Sequence, residues 1–148
     1  MALIFILLTN LWVHASELRP FESDGCTMSP DGTFRERTKW RDCCVAHDLR
    51  LWGGGTKEER VEADLTLRRC METKAGPRIA KIFWLAVKMG SHSPIKLPNK
   101  HWGNAWYENS GYRSLSPGEI DQLIIKIQEL EINPEIKEDY IIELQSRT

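Results

Sequence analysis

The chain is short of several things that would have given it away quickly. No run after the first fifteen residues approaches membrane-spanning length. No segment alternates in the manner of a strand, none repeats, and no tract is of low complexity. There is no serine-nucleophile motif, and no C-x-x-C pair of the kind zinc sites use, although three cysteines and a histidine are at hand. Cysteine itself is sparse, with four in 148 residues. The opening run, MALIFILLTNLWVHA, carries no Lys or Arg and is too short to span a membrane comfortably. Val13 and Ala15 supply the small-residue pattern of a signal-peptidase site, so residues 1–15 read as a signal peptide cleaved before Ser16.

What is present fits one small domain. A charged fraction of 28% and a net charge of −1 suit a globular chain of this length and not a disordered one. The charge is unevenly spread. Residues 35–100 hold 15 Lys/Arg against 8 Asp/Glu, whereas residues 115–148 hold 3 against 8. A basic middle suits an anionic ligand or surface as well as it suits plain solvated helix faces.

Local signals predict a mostly α chain. Residues 17–37, with two Asp-Gly steps in SDGCTMSPDGTF, read as loop. Trp40, Cys43, Cys44, His47 and Leu51 recur at three- and four-residue steps and predict a helix over 38–51, ended by Gly53-Gly54-Gly55. Thr56 and Glu59 form a capping box for a second helix reaching Thr73, with Val61, Asp64, Leu67 and Met71 on one face. So short a link makes the two helices antiparallel. Pro77 starts a third helix to Met89, with Ile79, Ile82, Phe83, Ala86 and Val87 on its apolar side. Residues 91–114 read as an ordered loop packed by Trp102, Trp106, Tyr107 and Tyr112. Ser116-Pro-Gly-Glu119 caps an amphipathic helix through Leu130, and a last short helix follows Asn133-Pro134.

The segment DCCVAHD, residues 42–48, concentrates the chemistry. Export favours disulfides over free thiols. Adjacent Cys43 and Cys44 do not readily bond each other, so Cys26, Cys43, Cys44 and Cys70 have two pairings open to them. A histidine that acts as a base needs its second nitrogen held, usually by a carboxylate. Asp48 points about 100° away from His47 around the helix. Asp64, on the apolar face of the antiparallel neighbour, is the carboxylate that can meet His47, and burial there would be costly without a partner. Asp48 is then free to bind a hard cation with oxygens of the preceding loop, which supplies Asp24.

CC-x-x-HD on a helix, a cysteine-bearing loop before it and D-x-x-x-x-x-C on the next helix together resemble secreted phospholipase A2, across roughly residues 22–73. The resemblance implies a fold of two antiparallel, disulfide-linked helices; it leaves residues 74–148 unaccounted for. The domain is expected to cover 16–114, with residues 115–148 as an amphipathic helical extension packed on it. The resemblance also implies disulfides Cys26–Cys44 and Cys43–Cys70, His47 as general base and Asp64 as its orienting carboxylate. SDGC resembles the shorter, bacterial form of the calcium loop, which makes Asp48, Asp24 and the carbonyl of Gly25 ligands of Ca2+. The sequence departs from the animal pattern in lacking the glycine-rich calcium loop and the β-hairpin between the helices, and in having Leu51 where a tyrosine is usual. The implied activity is calcium-dependent hydrolysis of the sn-2 ester of glycerophospholipids, in a secreted or periplasmic protein. Its partner would be phospholipid at a membrane or micelle surface, through peripheral contact, and not nucleic acid. A non-catalytic phospholipase A2-like module that binds lipid or protein is the alternative.

Overall fold

The computed structural model describes residues 17–90, 100–108 and 110–148. The expected signal peptide therefore lies outside the described residues, as do 91–99 and 109 of the expected aromatic loop. Five α-helices are described: α1 Arg41–Gly53, α2 Lys57–Ala75, α3 Pro77–Gly90, α4 Pro117–Glu129 and α5 Pro134–Gln145. No strand occurs among the described residues, only the isolated bridges Leu18–Trp106 and Gly55–Tyr112. None of these helices is long and apolar enough to cross a membrane. The all-helical, disulfide-linked class expected from sequence is what the chain adopts.

α1 is the central rod. Every residue from Cys43 to Gly53 except Ala46 is buried, so a neighbour covers each of its sides. One side faces α4 and α5, where Val45, Leu49 and Trp52 pack with Ile120, Leu123, Ile127, Tyr140 and Leu144. The opposite side faces α2 and α3, through a second cluster of Cys43, Cys44, Leu67, Met71 and Ala80. α1 starts three residues later than the periodicity predicts. The Trp40 amide is spent on the Asp31 carbonyl at 2.9 Å, and residues 33–41 are closed by tight turns instead.

Both predicted capping boxes form, at Thr56–Glu59 and Ser116–Glu119. The reversal between α1 and α2 is built for close approach. Gly54 has φ +78°, and a Cβ there would lie 2.6 Å from the Cα of Gly103. Against this turn the aromatic segment docks by backbone and indole. Gly103 N–H donates to Leu51 O and Ala105 N–H to Trp52 O. Trp106 Nε1 donates to Gly53 O and Trp102 Nε1 to Gly55 O. Of the four aromatics read as packing this loop, Trp102 and Trp106 are buried, whereas Tyr107 and Tyr112 are exposed.

Two faces are drawn differently from the sequence reading. Val61 is exposed, and Arg60 takes the buried position beside it. On α3, Ile79, Ala80, Phe83 and Val87 pack on the second cluster, but Ile82 is 65% exposed. Among the described residues α3 packs chiefly on α2.

The acidic C-terminal segment is tied to α1 by ion pairs. Arg50 Nε meets Glu143 at 2.8 Å, and Arg147 bridges Glu143 and Glu59. Part of the charge asymmetry is thus consumed within the chain. At the start of α4, Glu119 accepts two hydrogen bonds from Arg113 as well as the Ser116 amide. Chiefly through Arg113, its pKa falls from the ordinary 4.5 to about 2. A depressed folded-state pKa stabilises the native chain above pH 4.5, and that contribution fades as pH falls toward 2. Glu119→Gln should lower the Tm at neutral pH, with the gap to wild type closing as the melts are repeated from pH 4.5 toward 2. A gap that stays constant with pH would mean that Glu119 is not held by charge.

Candidate functional site

The two disulfides come first, because they set the register of everything else. Cys43 on α1 joins Cys70 on α2, and Cys26 in the preceding loop joins Cys44. Of the two pairings that spacing left open, the chain adopts the one the resemblance implied. There is no free cysteine. Two such bonds fit an oxidising compartment.

From the Cys43–Cys70 staple the two helices run apart in sequence but side by side in space. His47 lies one turn along α1, about 6 Å of rise from Cys43, and Asp64 about 9 Å back along α2 from Cys70. Their side chains close the remaining gap. His47 Nε2 stands 2.7 Å from Asp64 Oδ1, with both residues buried. An ionised carboxylate only accepts, so a neutral ring facing one carries its proton on Nε2 and its lone pair on Nδ1. The same Asp64 Oδ1 accepts from Arg60 Nε at 3.1 Å. Arg60 is in turn laid over the Trp102 ring, 5.4 Å from its centroid.

The next residue of α1 belongs to a separate cluster. Asp48 Oδ2 accepts from Ser23 Oγ at 2.7 Å and from Lys100 Nζ at 2.9 Å. Lys100 Nζ also donates to Asp24 Oδ1 at 2.8 Å, and Thr27 Oγ1 donates to the same oxygen. Asp24 and Asp48, far apart in sequence, therefore converge on one cationic nitrogen. The hydrogen bond from Lys100 is the main cause of an Asp24 pKa below its ordinary value. Burial alone would lower the Lys100 pKa, but its two carboxylate partners outweigh that and leave it raised.

Both clusters open onto one cleft of about 890 Å³. His47, Asp48, Arg60 and Lys100 give it polar ground. Its walls are apolar, with Leu67 of α2, Ile82, Phe83 and Val87 of α3, and the rings of Trp102 and Tyr112. Gly25 lines the same cleft, with φ +82°. Of the five residues assigned from sequence, His47, Asp48 and Gly25 line it, while Asp64 and Asp24 reach it through their contacts with His47 and Lys100.

Among the described residues no three His, Cys, Asp or Glu side chains cluster in the manner of a metal site. The donor chemistry nevertheless suits a hard cation. Two carboxylates converge on a single point, and the ammonium standing there shows that the point accepts positive charge.

Sequence reasoning missed three contributors. Arg60 had a signal, since it precedes Asp64 by four residues and so shares its helix face. Ser23 sat unremarked inside the SDGC loop. Lys100 had none beyond the basic surplus, because its partners lie 52 and 76 residues away. No family model, curated protein or solved structure matches the chain.

The geometry makes Asp64 the anchor of the site. Asp64→Asn would leave the Arg60 guanidinium buried without its counter-charge, which typically costs about 3–5 kcal/mol. Urea unfolding of the disulfide-intact chain should show that loss, and a double variant that also carries Arg60→Leu should recover part of it. Equal stability of wild type and Asp64→Asn would mean the buried pair contributes nothing.

Proposed function

We propose that the chain is a lipid ester hydrolase of the secreted phospholipase A2 type, and that His47 and Asp64 activate the attacking water. One observation carries the reading: a buried 2.7 Å His47–Asp64 pair borders an apolar-walled cleft of about 890 Å³. A polar base beside apolar walls suits a substrate with a carbonyl ester and a long acyl chain.

In this mechanism His47 Nδ1 takes a proton from water as the water oxygen adds to the ester carbonyl carbon. Asp64 holds the ring in the right tautomer and offsets the charge of the imidazolium that results. When the tetrahedral intermediate collapses, the C–O bond to the glycerol breaks and His47 returns the proton to the departing alkoxide. The products are a fatty acid and a lysophospholipid. No acyl-enzyme is formed, in keeping with a sequence that lacks a serine-nucleophile motif.

Calcium is part of the proposal, with Asp24, Asp48 and the Gly25 carbonyl as the residues that would hold it. Bound there, it would supply charge to offset the developing oxyanion and attract the substrate phosphate. The proposed location is outside the cytoplasm, secreted or periplasmic, with residues 1–15 as the export signal. The two disulfides support that location. Contact with lipid would be peripheral, through the side of α3 where Ile82 and Met89 are exposed.

The test uses glycerophospholipid vesicles and micelles carrying different acyl chains at sn-1 and sn-2, with the disulfide-intact chain. Release of the sn-2 fatty acid should depend on calcium, and His47→Gln should lower it by about 10²–10⁴-fold. Release at the wild-type rate from the His47→Gln variant would end the hydrolase reading. So would vesicle binding without hydrolysis by the wild type, which would leave the non-catalytic lipid-binding alternative.

A further inference from the structure

We infer that Lys100 is a tethered cation occupying the Asp24–Asp48 site, and that a divalent cation binds there only by expelling it. This rests on the cation-binding half of the reading above and not on the hydrolytic half.

Lys100 Nζ sits 2.8 Å from Asp24 Oδ1 and 2.9 Å from Asp48 Oδ2, so one ammonium serves both carboxylates. Its side chain is 19% exposed and that of Asp48 10%, whereas that of Asp24 is 59% exposed. The Asp48 contact is therefore partly desolvated, and its charge-assisted hydrogen bond counts for more than the Asp24 contact at the open surface. Calcium bonds to carboxylate oxygens at about 2.3–2.6 Å, shorter than the ammonium contacts. An ion shared by the same two oxygens would therefore press on Lys100 Nζ, with the two positive charges in direct repulsion. The two occupants exclude each other.

Competition of this kind sets an affinity. With Lys100 in place, the two carboxylates and the ammonium leave one net negative charge for an incoming ion. Without it there are two. Lys100 should therefore weaken calcium binding and confine loading to high calcium concentrations. Expulsion would also reach the cleft, because Lys100 lies two residues before Trp102. The Trp102 ring forms part of the cleft wall and covers the Arg60 that holds Asp64. Loading the cation site is in this way linked to the surroundings of the His47–Asp64 pair.

The experiment measures binding and labelling, and needs no catalysis. Isothermal titration of calcium into the full, disulfide-intact chain is compared with Lys100→Met and Lys100→Arg. Lys100→Met should bind calcium at least about tenfold more tightly, the scale expected when a competing charged hydrogen bond is lost. Lys100→Arg keeps a competing cation and should stay near wild type. In the wild-type chain itself, saturating calcium should raise reductive methylation of the Lys100 amine several-fold over its metal-free rate, read by mass spectrometry. This second readout stands whether or not the variants fold.

Equal or weaker calcium binding by folded Lys100→Met would overturn the inference. So would unchanged Lys100 labelling at calcium saturation, or no calcium binding by either wild type or Lys100→Met. A chain that exchanges Lys100 for calcium but releases no fatty acid would support this inference and sink the hydrolase reading. Fatty acid release that needs no calcium, from a chain binding none, would do the reverse.

Discussion

A carboxylate buried between two helices constrains most of this molecule. Asp64 is 6% exposed, in a position where an unpaired charge would work against folding. It is kept there by two donors on a single oxygen, His47 from α1 and Arg60 from its own helix. Each donor imposes a further condition. His47 reaches Asp64 only if the helices are antiparallel and in the right register, which the Gly53–Gly55 reversal and the Cys43–Cys70 bond secure. Arg60 can be buried only if its remaining surface is covered, and Trp102 does that. Trp102 is held in turn by the Gly55 carbonyl of the same reversal. The glycine turn, the disulfide and the aromatic segment therefore all serve one ion pair, directly or at one remove.

That interdependence also explains what the sequence made legible. The helices were readable because each carries its own punctuation: a proline at the first position, a capping box, or glycines beyond the end. The His47–Asp64 pair was readable because two constraints of short range combined, a tight reversal and a polar residue on an apolar face. Lys100 was not readable, since nothing near it in sequence specifies its partners. Its position follows from how the 100–106 segment docks on the glycine turn, and that docking uses main-chain groups and indole N–H groups that any loop of this composition could offer. The Val61 assignment failed for a related reason. Hydropathy favoured valine for the buried side of α2, but Arg60 was buried there by an ion pair and an aromatic cover, neither of which hydropathy measures.

The C-terminal helices have a plain physical role in this arrangement. α1 is buried on nearly every side, and the side away from the cleft needs an apolar partner. α4 and α5 provide it with Ile120, Leu123, Ile127, Tyr140 and Leu144. Their acidic surplus is partly matched to the basic middle of the chain through Arg50–Glu143, and Asn133 adds a neutral hydrogen bond to Asp42. Arg147 closes the same end, donating to the Gly54 carbonyl while pairing with Glu59, the residue that caps α2. The back of the molecule thus grips the same turn that the aromatic segment grips from the front. A site that depends on helix register gains from having its reversal held on both sides.

Residues 47 and 48 are adjacent in sequence, yet they serve different systems. A helix separates successive side chains by about 100°, and here that angle divides two kinds of electrostatics. His47 turns to α2, where its Nε2 meets a buried carboxylate. Asp48 turns to the Cys26 loop, where carboxylates gather around a positive charge. The division sets the His47–Asp64 pair and the Asp24–Asp48–Lys100 cluster at the edge of one cleft as two separate systems. Were Asp48 to meet His47 directly, Lys100 would lose one of its two carboxylate partners. The Cys26–Cys44 bond ties the loop to α1 one turn before Asp48. That tether brings Ser23 and Asp24 to the cluster around Asp48 and Lys100, while His47 pairs with Asp64 on the neighbouring helix.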